Sequence, residues 1–351
     1  MLKKIALTVF FLGLLLILLS TYVNKQMSLI SNSAPTLNPI GVNPSGNKDQ
    51  VKSLKDKSIF KDRDNLNILL IGSDTSSGRR LRGQRGFNTD VMVLLSVNPV
   101  TNKVLLTSVP RDLWVNNNKI NALYIVYGWE TLKNAFEKIT GQMVDGYVMA
   151  DFDAFVWLIN SCGGVPVEVK NSFTDYEFPN SQDSGQIMVN FTSGSEMMSG
   201  ERALTYARSR KGNNGEGSDL MRARRQHLIL QGLVDAISQP ESIFWPMDIP
   251  VFYEMITQHM ETNLSIDDFY YLWDFYKDKD KYAIESFVVD GEYVYHPGMY
   301  PQSSYHAWVF VPIGDSYEKL HNDIYNKLQG TFTEEEPIEN KEITISDEIK
   351  N

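Results

Sequence analysis

Apolar positions along the chain fall into two kinds of block. From Ile5 to Val23 roughly 19 uncharged, mostly apolar residues follow Lys3 and Lys4, close to the about 20 a helix needs to span hydrocarbon. Later runs are shorter and carry charge only at their ends. "LNILLIGSD", from Leu66, reads as a buried strand, and "TDVMVLLSVNPVTNKVLLTSVPRD" reads as two strands joined by a turn at Asn98 to Asn102. Strands apolar on both faces belong in a sheet covered on both sides, so the pattern predicts α/β layers rather than an open sandwich.

Helical spacing comes next. "GWETLKNAFEKITG" predicts a helix stopped by Gly141, and "DFDAFVWLINSCGG" one stopped by Gly163 and Gly164. "VPVEV" reads as a strand, Ser199 caps a short helix over "GERALTYAR", and Ser218 or Asp219 caps a longer one running to about Ser238. Between Gln239 and Gly330 a strand is expected at "YAIESFVVDG" and a helix near "SYEKLHNDIYNKL". The expected organisation is a cytoplasmic stub at 1–4, a transmembrane helix at 5–23 and a polar extracytoplasmic tether at 24–65, rich in Ser, Asn, Pro and Gly. The core follows at 66–238, the remainder of the same domain at 239–330, and an acidic disordered tail at 331–351, with seven acids against two lysines. Lys3 and Lys4 keep the N-terminus cytoplasmic, which puts the domain outside a single-pass membrane anchor. A cleaved signal peptide fits less well, since the apolar run is long and no Ala-x-Ala-like site follows it.

Bulk composition names no activity: of 351 residues, 42% are hydrophobic and 22% charged. The one cysteine, Cys162, excludes an internal disulfide or a cysteine-based zinc site, and its apolar surroundings predict a buried, inert thiol. With five histidines and no Gly-x-Ser-x-Gly or His-Glu-x-x-His pattern, serine-hydrolase and zincin chemistry find no support. "GSDTSSGRR" misses the P-loop spacing, and "DFD" at 151–153 reads as helix rather than as a sugar-transferase metal motif. A chain of net charge −10 whose domain faces outward is a poor partner for nucleic acid.

Local charge is more informative. Between Tyr206 and Gln226 stand six basic side chains and only two acids, around a glycine-rich loop. On a helix from Asp219, the residues Asp219, Arg222, Arg225 and Gln226 share a face, with Arg224 about 200° from Arg222. The loop lets Arg208 and Arg210 meet that helix end. Asp74 and Asp90 stand at strand ends that meet at one sheet edge if the strands pair, near Arg111. Two carboxylates beside arginines suit a magnesium ion bridged to phosphates. Taken alone, the same patterns also describe a solvated helix surface and turn-forming aspartates.

Seven blocks in order change that balance: "NILLIGSD", "NTDVMVLLSVNP", "LLTSVPRDLWV", "KINALYIVYG", "YVMADFDAFVWLINSCGGVPVEV", "SGERALTYARSR" and "SDLMRARRQ". From about Leu66 to Ile237, with the anchor, the chain resembles the LytR-CpsA-Psr family. That resemblance implies a central mixed sheet flanked by helices, and an extracytoplasmic, membrane-anchored phosphotransferase. Such an enzyme moves a glycopolymer from a polyprenyl-pyrophosphate donor to a peptidoglycan hydroxyl, its lipid tail lying in an apolar groove between sheet and helices. By position, Asp74 and Asp90 resemble the Mg2+ ligands (Mn2+ being an alternative), and Arg111, Arg208, Arg210, Arg222 and Gln226 the pyrophosphate ligands. Lys119 falls on a further basic position, and Asp219 is similar to the acid accompanying the arginines. Asn88 replaces a frequent arginine two residues before Asp90, a duty for which Arg85 is the candidate substitute. Arg225 matches the motif without a ligand role. Asp90 and Asp219 are both candidates for the base. The donor sugars are expected to be read by loops such as Ser172 to Gly194. Two rivals remain: hydrolysis of the same donor, and a non-catalytic envelope protein that binds polymer or regulates.

Overall fold

The computed structural model describes residues 57–180, 184–237, 239–240, 242–244, 248–298 and 307–329. The stub, the membrane helix, most of the tether and the acidic tail lie outside the described residues, among which no helix is long and apolar enough to cross a membrane. In chain order the elements begin with β1 (Leu66–Ser73), α1 (Ser77–Leu81), β2 (Thr89–Asn98), β3 (Lys103–Ser108), β4 (Trp114–Val115), β5 (Asn118–Lys119), α2 (Ile120–Tyr127) and α3 (Trp129–Thr140). Next come β6 (Gly146–Ala150), α4 (Phe152–Ser161), β7 (Val165–Val169), β8 (Phe173–Pro179), β9 (Gln186–Phe191), β10 (Gly194–Met198), α5 (Gly200–Arg208) and α6 (Asp219–Ala236). The last are α7 (Ile249–His259), β11 (Glu261–Thr262), α8 (Ile266–Lys277), β12 (Ala283–Val288), β13 (Val294–Tyr295), β14 (Val311–Pro312) and α9 (Glu318–Gln329).

The main sheet has strand order β11-β6-β1-β2-β3-β12 and is mixed, with β1 antiparallel to β2 and parallel to β6. Its register follows the expected period of two. Leu69 pairs with Leu94 and Ile71 with Met92, and all four enter one core with Phe136 of α3 and Ile324 of α9. On the other face, Leu66 and Ile68 pack with Phe60 and Leu264. A second core joins β7, α4, α5 and α6 through Val165, Ile159, Tyr206 and Ile229. Bringing α5 and α6 this close requires glycine. A Cβ on Gly232 would stand 2.2 Å from the Pro166 carbonyl oxygen, and one on Gly200 would stand 2.4 Å from that of Val156.

Three expectations need correction. The boundary drawn at Leu66 is too late, because Phe60 is fully buried and Ser58 Oγ donates to Asp268 Oδ1 at 2.8 Å. The stretch from Ser172 to Gly194, read as a variable loop, contains the β8–β9 hairpin, with Phe173, Asp175, Phe178 and Phe191 buried. Its polar residues hid a period-two pattern. Helices α7 and α8 were not foreseen, their aromatic-rich sequences obscuring the helical spacing.

Candidate functional site

The C-terminal end of β1 and the start of β2 bring the two aspartates to one place, as the sequence pattern requires. Asp74 and Asp90 both line a cavity of about 840 Å³. Asp74 Oδ1 accepts the Asn88 N–H at 2.6 Å. Asp90 accepts from Arg111 Nη1 at 2.5 Å and from Asn121 Nδ2 at 3.4 Å. Arg111 also pairs with Asp112 at 3.5 Å, outside hydrogen-bonding geometry, so its buried Nε–H lacks an acceptor. Burial works against the Arg111 charge, but Asp90, then Asp112 and Asp219, more than offset it and raise its pKa. Lys119 reaches the same cavity and is held by Asp112 at 2.6 Å.

The opposite-sign half is built on α5, α6 and the loop between them. Asp219, at the first position of α6, pairs with Arg210 at 3.3 Å and Arg222 at 3.2 Å. The Arg222 side chain is only 13% exposed. Burial lowers its pKa; Asp219 opposes that shift and Arg210 and Arg111 add to it. The arginine cluster thus feels the charges of Arg111 and Asp90.

What aims the arginines is a buried scaffold. Arg225 Nε donates to the Tyr206 carbonyl at 3.1 Å, Nη1 to Glu216 Oε2 at 2.8 Å and Nη2 to the Ser209 carbonyl at 2.5 Å. Asp175, on β8, accepts from Ser209 Oγ at 2.6 Å and from the N–H groups of Arg210 and Lys211 at 3.2 and 3.1 Å. Burial is the largest single effect and raises its pKa, but these bonds, with one from the Glu177 N–H, together outweigh it and hold the carboxyl below the ordinary range. Under the scaffold, His227 Nε2 meets Ser108 Oγ at 2.7 Å, and burial pushes the imidazole down to about 4.

Other expected residues sit less directly. Arg208 lies over the rings of Phe152 and Phe178, at 4.5 and 5.4 Å. The Gln226 amide donates to the Ala207 carbonyl at 3.3 Å. Arg85 lines a separate cavity of about 290 Å³ with Arg80 and Asp151, so it does not stand in for the missing arginine at Asn88. Arg224 is exposed, as its helix angle predicts. The "DFD" motif is structural: Asp151 caps α4 through the Ala154 N–H at 2.9 Å and pairs with Arg80 at 3.0 Å, and Asp153 accepts the Ser77 N–H at 2.6 Å. Cys162 is buried, and burial pushes its thiol up to about 11.

Sequence reasoning missed Asp112, Asn121, Asp175 and Arg79. Arg79 donates to the Asp74 carbonyl at 2.6 Å and lies 5.2 Å from the Phe152 ring that also carries Arg208. Its only signal was the basic run after Gly78. The donor set suits magnesium. Asp74 and Asp90 supply the one or two carboxylates that ion takes, and no larger group of acidic, histidine or cysteine ligands gathers among the described residues.

Comparison with known proteins adds an independent line. The model of the LytR_cpsA_psr family matches residues 39–322. The chain is 27% identical over 295 residues to the polyisoprenyl-teichoic acid–peptidoglycan teichoic acid transferase TagV of Bacillus subtilis (strain 168), covering 82% of this chain and 70% of that protein. The crystal structure of B. subtilis TagV superposes with a TM-score of 0.54 at 26% identity, over 76% of this chain and 98% of that one. A transferase named TagU, from Oceanobacillus iheyensis, is 28% identical over 272 residues, 74% of this chain and 78% of that protein.

Proposed function

The chain belongs to the LytR-CpsA-Psr family and is an enzyme of the transferase class; on that premise we propose that it transfers a glycopolymer phosphate from a polyprenyl-pyrophosphate carrier to a peptidoglycan hydroxyl at the outer face of the membrane. The observation that carries this reading is Arg222, a largely buried guanidinium that shares one half-exposed carboxylate, Asp219, with Arg210 and feels the like charge of Arg210 and Arg111. Like charges collected in a partly desolvated place call for an anionic ligand. A pyrophosphate, with several oxygens in a small volume, supplies it.

In this reading Arg222, Arg210 and Arg111 grip the pyrophosphate, and Asp219 orients the first two. Arg208 and Gln226 lie beside that grip, and Lys119 balances Asp112. Asp74 and Asp90 would hold magnesium, which when bound neutralises phosphate charge. The acceptor oxygen bonds to the phosphorus that carries the glycan, the bond to polyprenyl phosphate breaks, and the hydroxyl proton passes to a carboxylate. Asp90 and Asp219 are the two candidates: Asp90 lines the cavity and is held by Arg111 and Asn121, and Asp219 bridges Arg210 and Arg222. Phosphoryl transfer needs little more from a protein than such positioning and charge stabilisation. Room for the lipid is supported by Leu70, Val91, Leu95 and Val97, which share one face of the central strands yet are only half-buried. A purified domain that releases polyprenyl phosphate only when acceptor glycan is present fits transfer. Equal release without acceptor means hydrolysis, and no release by active-site-intact protein refutes the proposal.

A further inference from the structure

The cavity that holds Asp74 and Asp90 is larger than a metal and two phosphates need, and much of its wall has no part in the charge cluster. That wall is the β4–β5 hairpin with the end of α2: Trp114, Asn116, Asn117, Asn118 and Tyr127 all line it. Turn geometry explains two of these, since Asn116 and Asn117 have φ of 52° and 61°, a left-handed pair that favours asparagine in a tight hairpin. It does not explain Asn118 and Tyr127. The Asn118 amide nitrogen donates to the Asn116 carbonyl at 3.3 Å and to the Tyr127 hydroxyl at 3.2 Å. Among the described residues nothing donates to the Asn118 carbonyl oxygen and nothing accepts from the Tyr127 hydroxyl. Tyr127 itself is 54% exposed at the cavity edge. A ring fixed by a side-chain bond, yet not buried, gains nothing from its exposure in the protein alone.

Amide groups that both donate and accept, beside aromatic faces and without net charge, match a neutral pyranose. Vicinal hydroxyls take the amides, and the apolar C–H face of the ring lies on the aromatic side chain. We propose that the β4–β5 hairpin and Tyr127 form the subsite for the acceptor sugar, an inference that rests on the transferase reading. Acceptor is assigned rather than donor because Asp90 shares this cavity, whereas of the pyrophosphate grip only Arg111 lines it and Arg210, Arg222 and Asp219 do not. The sugar hydroxyl is thereby delivered to Asp90 from the hairpin side.

The test binds a soluble, peptide-free fragment of peptidoglycan glycan strand to the full chain in detergent, followed by titration calorimetry, and separately measures KM for donor and for that acceptor. Tyr127→Ala and Asn118→Ala should each weaken fragment binding about tenfold and raise the acceptor KM to match, with donor KM moving less than twofold. Tyr127→Phe, which keeps the ring, should lose less than Tyr127→Ala. Direct binding is scored without turnover, so a protein that binds the fragment but transfers nothing sinks the transferase reading and not the subsite. The subsite is overturned if the wild-type protein binds no fragment, if the variants bind it normally, or if donor KM rises in place of acceptor KM.

Discussion

Replacing Arg222 by alanine separates a ligand grip from a structural ion pair. One charge-assisted contact to phosphate disappears, worth about 3–4 kcal/mol at a preorganised site, or roughly 100- to 1,000-fold in rate. The structural cost is small, because Asp219 is 55% exposed and keeps Arg210, and an exposed pair contributes about 0–1 kcal/mol. Removing the charge also relieves repulsion with Arg210 and Arg111. Arg222→Ala should therefore slow release of polyprenyl phosphate about 100-fold or more, while unfolding free energy stays within about 1 kcal/mol of wild type. Arg225→Ala should differ by lowering stability, and should slow turnover as well, since the scaffold that aims the arginines is lost. Its guanidinium, 2% exposed, bonds Glu216 and three backbone carbonyls, and its loss strands a buried carboxylate at about 3–5 kcal/mol. Arg224→Ala should change neither quantity, since the side chain is exposed. The assay is chromatographic detection of lipid phosphate from a short-chain polyprenyl-pyrophosphoryl disaccharide, run beside a urea titration. Free pyrophosphate should also stabilise the wild type, by about 2.7 kcal/mol at 100 times Kd, and Arg222→Ala far less. The reasoning fails if Arg222→Ala turns over normally, or if it destabilises as much as Arg225→Ala.

Other consequences follow from the same geometry. Asp74→Ala should raise the magnesium concentration for half-maximal activity about tenfold or more, and an unchanged magnesium titration removes Asp74 from the metal site. Asp175→Asn should loosen the turn that aims Arg210 and cost about 2–3 kcal/mol at neutral pH, measured by urea unfolding. Because the folded carboxyl is held below its unfolded value of 3.8, that contribution is present above pH 3.8 and lost as pH falls through the folded value, so wild type and variant should converge in acid. His227 titrates near 4 when folded against 6.5 unfolded, so the unfolded chain takes up a proton first as pH falls. Stability should drop by about 2 kcal/mol from pH 7 to pH 5 on this account, and His227→Gln should remove that part of the slope.

Much of this was legible in the chain. The apolar runs of β1, β2 and β3, glycine stops such as Gly141, and the Ser199 and Ser218 caps act within a few residues, so their structure follows from local chemistry. Spacing on α6 also separated its arginines, Arg222 being largely buried beside Asp219 and Arg224 exposed. The two aspartates were paired by the β1–β2 register alone. Not legible were the partners that arrive from far along the chain. Asp175 reaches the 209–211 turn across more than thirty residues, and nothing in "TDYEF" announces a carboxylate whose donors are a hydroxyl and backbone N–H groups elsewhere. Arg85 stood close to Asn88 in sequence but lines another cavity, on the stretch that follows α1. The sequence by itself determined which side chains could bear charge, metal and phosphate, since those are properties of residue type and local period. Only the tertiary structure decided which of them share one desolvated place, because electrostatic coupling depends on distances that chain folding sets.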